Sequence, residues 1–407
     1  MIKKIFTTSL KPGMYVEETG LSKADNPHIY SMEGEIESLD QIQDIISEGF
    51  LEVFINANKG TYFTNNPKEK TEIIKEYENL SDTQGAKQAT PKAFGLHRIH
   101  LEEAEYIYNN SLEYVKNVID TLKNKRKIDF TKSEEYVDHI FSHIKNDVDS
   151  LLFVSKLKQH DQYTYTHNLN VSIFALAFAS ELGLGPENIK ILGLAGLFHD
   201  IGKVLIDQDI LNKPGKLNTK EFEEIKKHPL LGYNILQNDK SITEEVCKAT
   251  YEHHEKYSGG GYPQNLSASK ICMHALLISI IDVFDALTSD RSYKKRVDLH
   301  KALGIIFNLK GSSFYPGLVD KYIKFLGIYP VGSVVLLSNG KKAIVTGQNN
   351  TNLLRPKVRI ILDENNHYST ESDIDLLAQN PEDEEKLEIV ESLGTEKCRI
   401  NISNFVY

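Results

Sequence analysis

Long hydrophobic runs are missing from this chain: no stretch approaches the roughly 18 consecutive apolar residues of a membrane-spanning helix. The opening residues, MIKKIFTTSLKPG, also lack the apolar h-region and the cleavage site of a secretory leader, so the sequence predicts a cytoplasmic protein. Cysteine is scarce. Cys247, Cys272 and Cys398 are odd in number and have no CxxC spacing, which excludes a disulfide framework and a cysteine zinc site and leaves buried thiols. Positive charge is in deficit, with 47 lysines and arginines against 57 acidic residues and a formal net charge of -10. That balance argues against broad attachment to duplex nucleic acid or to an anionic membrane, both of which need a basic face. A small anionic ligand stays open, because bound metal ions create their own local positive field.

At 407 residues the chain is long enough for two or three domains, each with its own core, on a prior of roughly 150 residues per domain. Its composition, 40% hydrophobic and 26% charged, is that of an ordinary folded protein. Residues 1–64 alternate short apolar runs, such as Leu51-Glu52-Val53-Phe54-Ile55, with turn signals, such as Lys11-Pro12-Gly13, and predict a small α+β domain. Residues 65–100 are polar and read as a linker. From 101 to 326 apolar residues recur at three and four, for instance Ala104, Ile107, Val115, Val118 and Leu122, with a turn near Asp129-Phe130-Thr131. This segment is predicted to be all-α, a helical lead-in followed by a helical bundle. Residues 327–380, with Ser333-Val334-Val335-Leu336-Leu337 and the hairpin signal Asn339-Gly340, predict a small β module, and residues 381–407, which open on the acidic stretch Glu382-Asp383-Glu384-Glu385, a tail. The fold class expected is therefore mainly α, with a small N-terminal α+β domain and a small C-terminal β module.

The chemistry is concentrated in the helical part. His199-Asp200 directly follows the apolar run Leu192 to Phe198, which sets two groups that are hard to bury at the end of a core helix. A metal ion is a natural partner: neutral imidazole and ionised carboxylate suit Zn, Mn and Fe, and a carboxylate can bridge two ions. Further donors stand at His167, His228, His253, His254 and Asp282, far apart in sequence but able to meet inside a helical bundle, as in di-iron carboxylate bundles. Singly, each histidine is more often a surface or satisfied residue than a ligand. Taken together with Phe198-His199-Asp200-Ile201-Gly202-Lys203, His253-His254-Glu255 and the loop Ser258-Gly259-Gly260-Gly261-Tyr262-Pro263, they form a specific pattern.

Over about residues 155–325 this pattern resembles the HD-GYP family of bacterial phosphodiesterases, a subgroup of the HD superfamily of metal-dependent phosphohydrolases that typically cleaves cyclic di-GMP. The likeness extends to Ile210-Leu211-Asn212-Lys213-Pro214-Gly215-Lys216-Leu217, Lys227-His228 and Asp282-Val283-Phe284-Asp285-Ala286-Leu287-Thr288-Ser289. The first 60 residues look like the small uncharacterised domain found ahead of many HD-GYP domains, for which a regulatory or dimerisation role is an analogy only. The resemblance implies an HD-type helical bundle and metal ligation by His167, His199, Asp200, His228, His253, His254 and Asp282, with Asp200 bridging two ions, Fe or Mn first among them. Some family members hold a third ion through a glutamate four residues before the first histidine; here that residue is Tyr163, which favours two ions.

Lys203, Arg291 and Lys294 are implied phosphate handlers, although Arg291 and Lys294 by themselves read equally well as a solvated basic face. Lys203 joins Asp200 as a catalytic candidate, and Tyr262 offers a flat ring and a hydroxyl to a ligand. Ser258, Asn265, Cys272 and Ser292 depart from the usual family residues, and no ligand position is lost. The expected reaction is hydrolysis of cyclic di-GMP to pGpG, with GMP left open as the end product, by hydroxide held between two ions. A receptor that binds cyclic di-GMP without efficient turnover is the rival reading. A hydrolase of dNTPs or guanosine tetraphosphate would explain His199-Asp200 but not the Gly-Tyr-Pro loop. A second copy of the chain and GGDEF-type signalling proteins are the partner candidates.

Overall fold

The computed structural model describes residues 2–6, 10–17, 29–30, 32–47, 52–56, 58–62, 98–124, 128–157, 163–213, 215–289, 296–349, 351–368, 373–379 and 386–393. The chain divides into two compact units, one made mainly of residues 1–92 and the other of the remainder. In the first, strands β1 (Ile2–Phe6), β2 (Tyr15–Val16), β3 (Ile29–Tyr30), β4 (Gly34–Glu35) and β5 (Glu52–Asn56) form one sheet with helix α1 (Leu39–Ser47). The order is β1-β5-β2-β4, and β3 lies parallel to β5. Val16, Ile36, Ile42, Ile45, Val53 and Ile55 bury a core of their own, so this is the small α+β domain expected. Of the linker expected over 65–100, residues 65–97 lie outside the described residues.

The second unit opens with α2 (Arg98–Lys123), α3 (Ser133–Asn146) and α4 (Val148–Leu157). On α2, Leu101, Ala104, Tyr108, Val115, Val118 and Ile119 are buried at helical spacing, which turns one stripe inward. Next come α5 (Tyr163–Glu181) and α6 (Pro186–Phe198), buried on all sides over 166–179 and 191–198, as core helices are. Pro186 stands in the first turn of α6, where its missing N–H has no helical acceptor to lose. The chain then runs through a 3-10 turn (Ile201–Leu205) and the short α7 (Gln208–Leu211) and α8 (Thr219–Ile225). Helices α9 (His228–Leu236), α10 (Glu244–Glu252), α11 (Met273–Thr288), α12 (Leu299–Asn308) and α13 (Pro316–Leu326) complete the bundle. Helix α11 is its axis: Ala275 to Ile281 are all buried.

Strands β6 (Val334–Leu337), β7 (Lys342–Gly347), β8 (Lys357–Leu362), β9 (Asp373–Asp375) and β10 (Ile389–Leu393) make an antiparallel sheet of order β10-β6-β7-β8-β9. Here the expected boundary is corrected. Residues 389–393, expected to belong to the tail, form a strand on β6 with Leu393 opposite Val334, and Leu387 and Ile389 pack against the same core as Val335 and Leu337. The acidic stretch before β10 masks that strand in the sequence. The sheet rests on the helical bundle through β7 and α4. Among the described residues no helix is long and apolar enough to cross a membrane.

Candidate metal centre

Five segments deliver the seven predicted donors to one buried point. His167 projects from α5, and His199-Asp200 end α6. His228 starts α9, His253-His254 end α10, and Asp282 lies in the last turns of α11. They fall into two sets, His167 with His199 and Asp282, and His228 with His253, His254 and Asp200, the donor atoms of each lying within 4.8 Å of one another. Asp200 faces both. Its Oδ1 is 3.2 Å from His228 Nε2 and 3.9 Å from His253 Nε2, while its Oδ2 is 3.5 Å from His199 Nε2 and 3.7 Å from His167 Nε2. Asp282 Oδ1 is 3.1 Å from His167 Nε2, and Asp282 Oδ2 is 4.0 Å from His254 Nδ1.

The backbone fixes the tautomers. Nδ1 of His199 lies 2.8 Å from Gly196 O, that of His228 2.8 Å from Ile225 O, and that of His253 2.7 Å from Thr250 O. A carbonyl can only accept, so each of these Nδ1 atoms carries a proton and Nε2 is the ring atom turned to the centre. His167 has its Nδ1 2.8 Å from Asp285 Oδ2 and is oriented by that carboxylate instead. Ring nitrogens and carboxylate oxygens therefore converge on one another: His228 Nε2 and His253 Nε2 are 3.3 Å apart, as are His167 Nε2 and His199 Nε2. Asp200 Oδ1 is buried without a hydrogen-bond partner. Acceptors packed this way repel unless a cation lies between them, and separations near 3 Å are those of adjacent donors about 2.1 Å from a shared ion. The residues present fit divalent metal ions.

The protonation equilibria agree with that reading. Burial holds the imidazole of His253 well below its usual range and pushes His254 down to about 3, so both are neutral donors. Burial also lowers His167, but hydrogen bonds to Asp282 and Asp285 outweigh it and raise the group to about 9: without metal, a proton takes the cation's place there. Burial would raise Asp200, yet the Lys203 ammonium and the surrounding imidazoles hold it well below the carboxylate range. Lys203, predicted as a phosphate handler, is paired with Asp200 Oδ2 and is partly exposed.

Two close approaches shape the site. A Cβ on Gly202 would stand 2.5 Å from Gly232 N and closer still to the carbonyl oxygen of His228, so the turn after Asp200 seats on α9 only because residue 202 has no side chain. A Cβ on Gly261 would stand 2.5 Å from Glu255 Cα and Lys256 N, which ties the Gly-Tyr-Pro loop to the chain just after His254. Tyr262 then lies with its ring centroid 4.7 Å from that of His254. Arg291 and Lys294 lie outside the described residues.

Three side chains in this architecture carry no role in the sequence reading. Glu255 accepts the N–H groups of Gln264 and Leu266 at 2.6 and 2.9 Å and so anchors the loop. Asp285 orients His167, and Lys156 from α4 donates to Asp285 at 3.0 Å. A signal was available for Asp285, three residues after Asp282 and hence on the same helical face. Two departures from the family pattern are accommodated locally: Asn265 adopts a φ of 57° and accepts the N–H of Gly260 at 2.6 Å, and Cys272 donates its N–H to Glu252 at 2.6 Å; Ser292 lies outside the described residues.

Residues 152–317 match the family model described as HD domain, residues 2–133 a domain of unknown function (DUF3391), and residues 334–394 a KOW domain associated with HD domain. The chain is 31% identical over 364 residues to the cyclic di-GMP phosphodiesterase PA4108 of Pseudomonas aeruginosa, covering 88% of this chain and 85% of that protein. It is 37% identical over 147 residues to the cyclic di-GMP phosphodiesterase response regulator RpfG of Xanthomonas campestris pv. campestris, covering 36% of this chain and 39% of the relative. A 3'3'-cGAMP-specific phosphodiesterase 1 of Vibrio cholerae is 36% identical over 159 residues, covering 39% of this chain and 36% of the relative. In these last two the chain spans well under half of the relative's length.

Proposed function

This chain belongs to the HD-GYP family of HD-domain proteins, with an N-terminal DUF3391 domain, and we propose on that premise that it is a metal-dependent phosphodiesterase hydrolysing cyclic di-GMP to pGpG and on to GMP. The observation that carries the proposal is the pair of donor sets sharing Asp200, each rich in imidazole and joined through the two oxygens of one carboxylate. Two divalent ions, iron or manganese, would supply Lewis acidity toward a phosphoryl oxygen and an acidified water at neutral pH. His167, His199 and Asp282 would hold one, His228, His253 and His254 the other, and Asp200 both.

The chain's own side chains supply the rest. Lys203, seated against Asp200 and partly open to solvent, can turn its ammonium toward a phosphate and hand a proton to the leaving 3′ oxygen. Arg291 and Lys294 would neutralise the second phosphate. Tyr262, half-buried beside His254, offers its ring to a guanine base, a stacking contact worth about 1–3 kcal/mol, so Tyr262→Ala is expected to raise KM about 5- to 150-fold while kcat changes little.

The test uses full-length protein, reconstituted anaerobically with Fe(II) and separately with Mn(II), incubated with cyclic di-GMP and with 3′3′-cGAMP, with products separated by chromatography beside an Asp200→Ala control. Appearance of pGpG or GMP that disappears in the control supports the proposal. Two bound ions with retained but intact dinucleotide would replace it with a receptor function, and faster cleavage of 3′3′-cGAMP would move the substrate.

A further inference from the structure

Helix α4 places a lysine where an apolar residue would pack at lower cost. Lys156 has a side chain only 9% exposed, and its ammonium lies 4.6 Å from the ring centroid of Phe174 and 4.9 Å from that of Phe284. Taking an ammonium out of water is expensive, and a buried ion pair adds little net stability over a well-packed apolar side chain. What a lysine contributes here is direction. Its ammonium donates to Asp285 Oδ1 at 3.0 Å and to Thr288 Oγ1 at 2.9 Å.

Asp285 is the point on which this contact acts. Its Oδ1 accepts from Lys156 and from Asn170 Nδ2 at 3.2 Å, and its Oδ2 from His167 Nδ1 at 2.8 Å and Ser289 Oγ at 3.1 Å. Four donors, two per oxygen, use the lone-pair capacity of a carboxylate in full, and its plane is fixed. That plane sets the ring of His167, and the ring aims Nε2 at Asp282 and Asp200. Asn170 is held from its other side by Tyr108 Oη at 3.0 Å. The arrangement serves one donor set only, since His199, His228 and His253 are oriented by main-chain carbonyls.

We infer that Lys156 is a positioning residue for the ion held by His167, His199 and Asp282, acting through Asp285, and that it has no such effect on the ion held by His228, His253 and His254. The inference rests on the two-metal reading of the centre and is independent of the substrate. Loss of a partner that orients a metal-bound histidine typically weakens the ion 10–100-fold.

The experiment is a titration of metal-free full-length protein with Mn(II), followed by calorimetry, for wild type, Lys156→Met, Thr288→Val, His167→Ala and the Lys156→Met/His167→Ala double variant. Wild type that binds no Mn(II) would remove the metal reading itself. Given two binding steps in wild type, the expected result is that Lys156→Met weakens one step 10–100-fold and leaves the other unchanged. In the His167→Ala background it should add no further loss, as coupling through one residue requires. Thr288→Val removes one of the two partners of the ammonium while keeping the branched side-chain shape; it is expected to weaken the same step by a smaller factor, and it carries the test if Lys156→Met does not fold. Equal weakening of both steps, no weakening of either, or an undiminished effect in the His167→Ala background would overturn the inference.

Discussion

Gly202→Ala is the sharpest single test of how the centre is built. The new Cβ would meet Gly232 N at 2.5 Å and the carbonyl oxygen of His228 at less, whereas real Cβ contacts essentially never fall under 3.0 Å. Both obstacles are backbone, so neither can swing aside. Relief requires the 3-10 turn and α9 to separate by about one ångström, the distance the His228 carbonyl demands, and predicted ligands flank that seam, Asp200 just before the turn and His228 at the start of α9. Functional constellations tolerate about 0.5 Å of drift, and a misplacement of about 1 Å costs roughly 100-fold. Hydrolysis is therefore expected to fall about 10- to 100-fold, and overpacking to cost about 1–3 kcal/mol of stability. The assay is initial rate with saturating Mn(II), paired with urea unfolding of the metal-free protein. Gly304→Ala is the control: it sits on the exposed face of helix α12 with nothing within 4 Å of its Cβ position, so it should leave activity alone and stabilise by about 0.4–1 kcal/mol. If Gly202→Ala matches wild type in rate and metal stoichiometry, the close seating of the turn on α9 does not set the ligand geometry.

Without metal, stability should peak near neutral pH. His228, His253 and His254 are depressed below the 6.5 of a free imidazole, so the unfolded chain takes up protons that the folded one refuses, and stability falls as pH drops below about 6.5. His167 has the opposite sign: raised to about 9, it contributes stability that is complete below 6.5 and is lost as pH rises toward 9. Urea midpoints from pH 5 to 9 in the presence of a chelator check both limbs, and a flat profile refutes them. Glu255→Gln leaves one oxygen where two backbone N–H groups are accepted, so the Tyr262 loop should loosen, raising KM severalfold with both ions still bound. A lost ion in that variant would mean that Glu255 supports His254 rather than the loop.

Much of this molecule is legible in its sequence because the informative signals are local. Helical periodicity marks α2, apolar runs mark α6 and α11, and the clustered motifs around His199, His253 and Tyr262 single out the donors that converge. Where information is non-local the sequence is silent. Lys156 is 129 residues from Asp285, and nothing near it distinguishes it from the other lysines of the chain until the helices pack. Glu255 reads as part of a histidine motif, although its partners are backbone groups of a loop nine and eleven residues on. Strand β10 is hidden by the acidic stretch before it, since its role as a sheet edge depends on β6, some 55 residues earlier in the chain.

Three of the four oriented histidines take their alignment from peptide carbonyls, which no point substitution can delete. A lineage carrying this fold can change almost any neighbouring side chain and still inherit those three ring orientations. His167 is the exception, because its orientation is written in side chains: Asp285, and behind it Lys156, Asn170 and Ser289. Evolutionary adjustment of metal preference or affinity, with every ligand retained, has its most accessible route through those four positions.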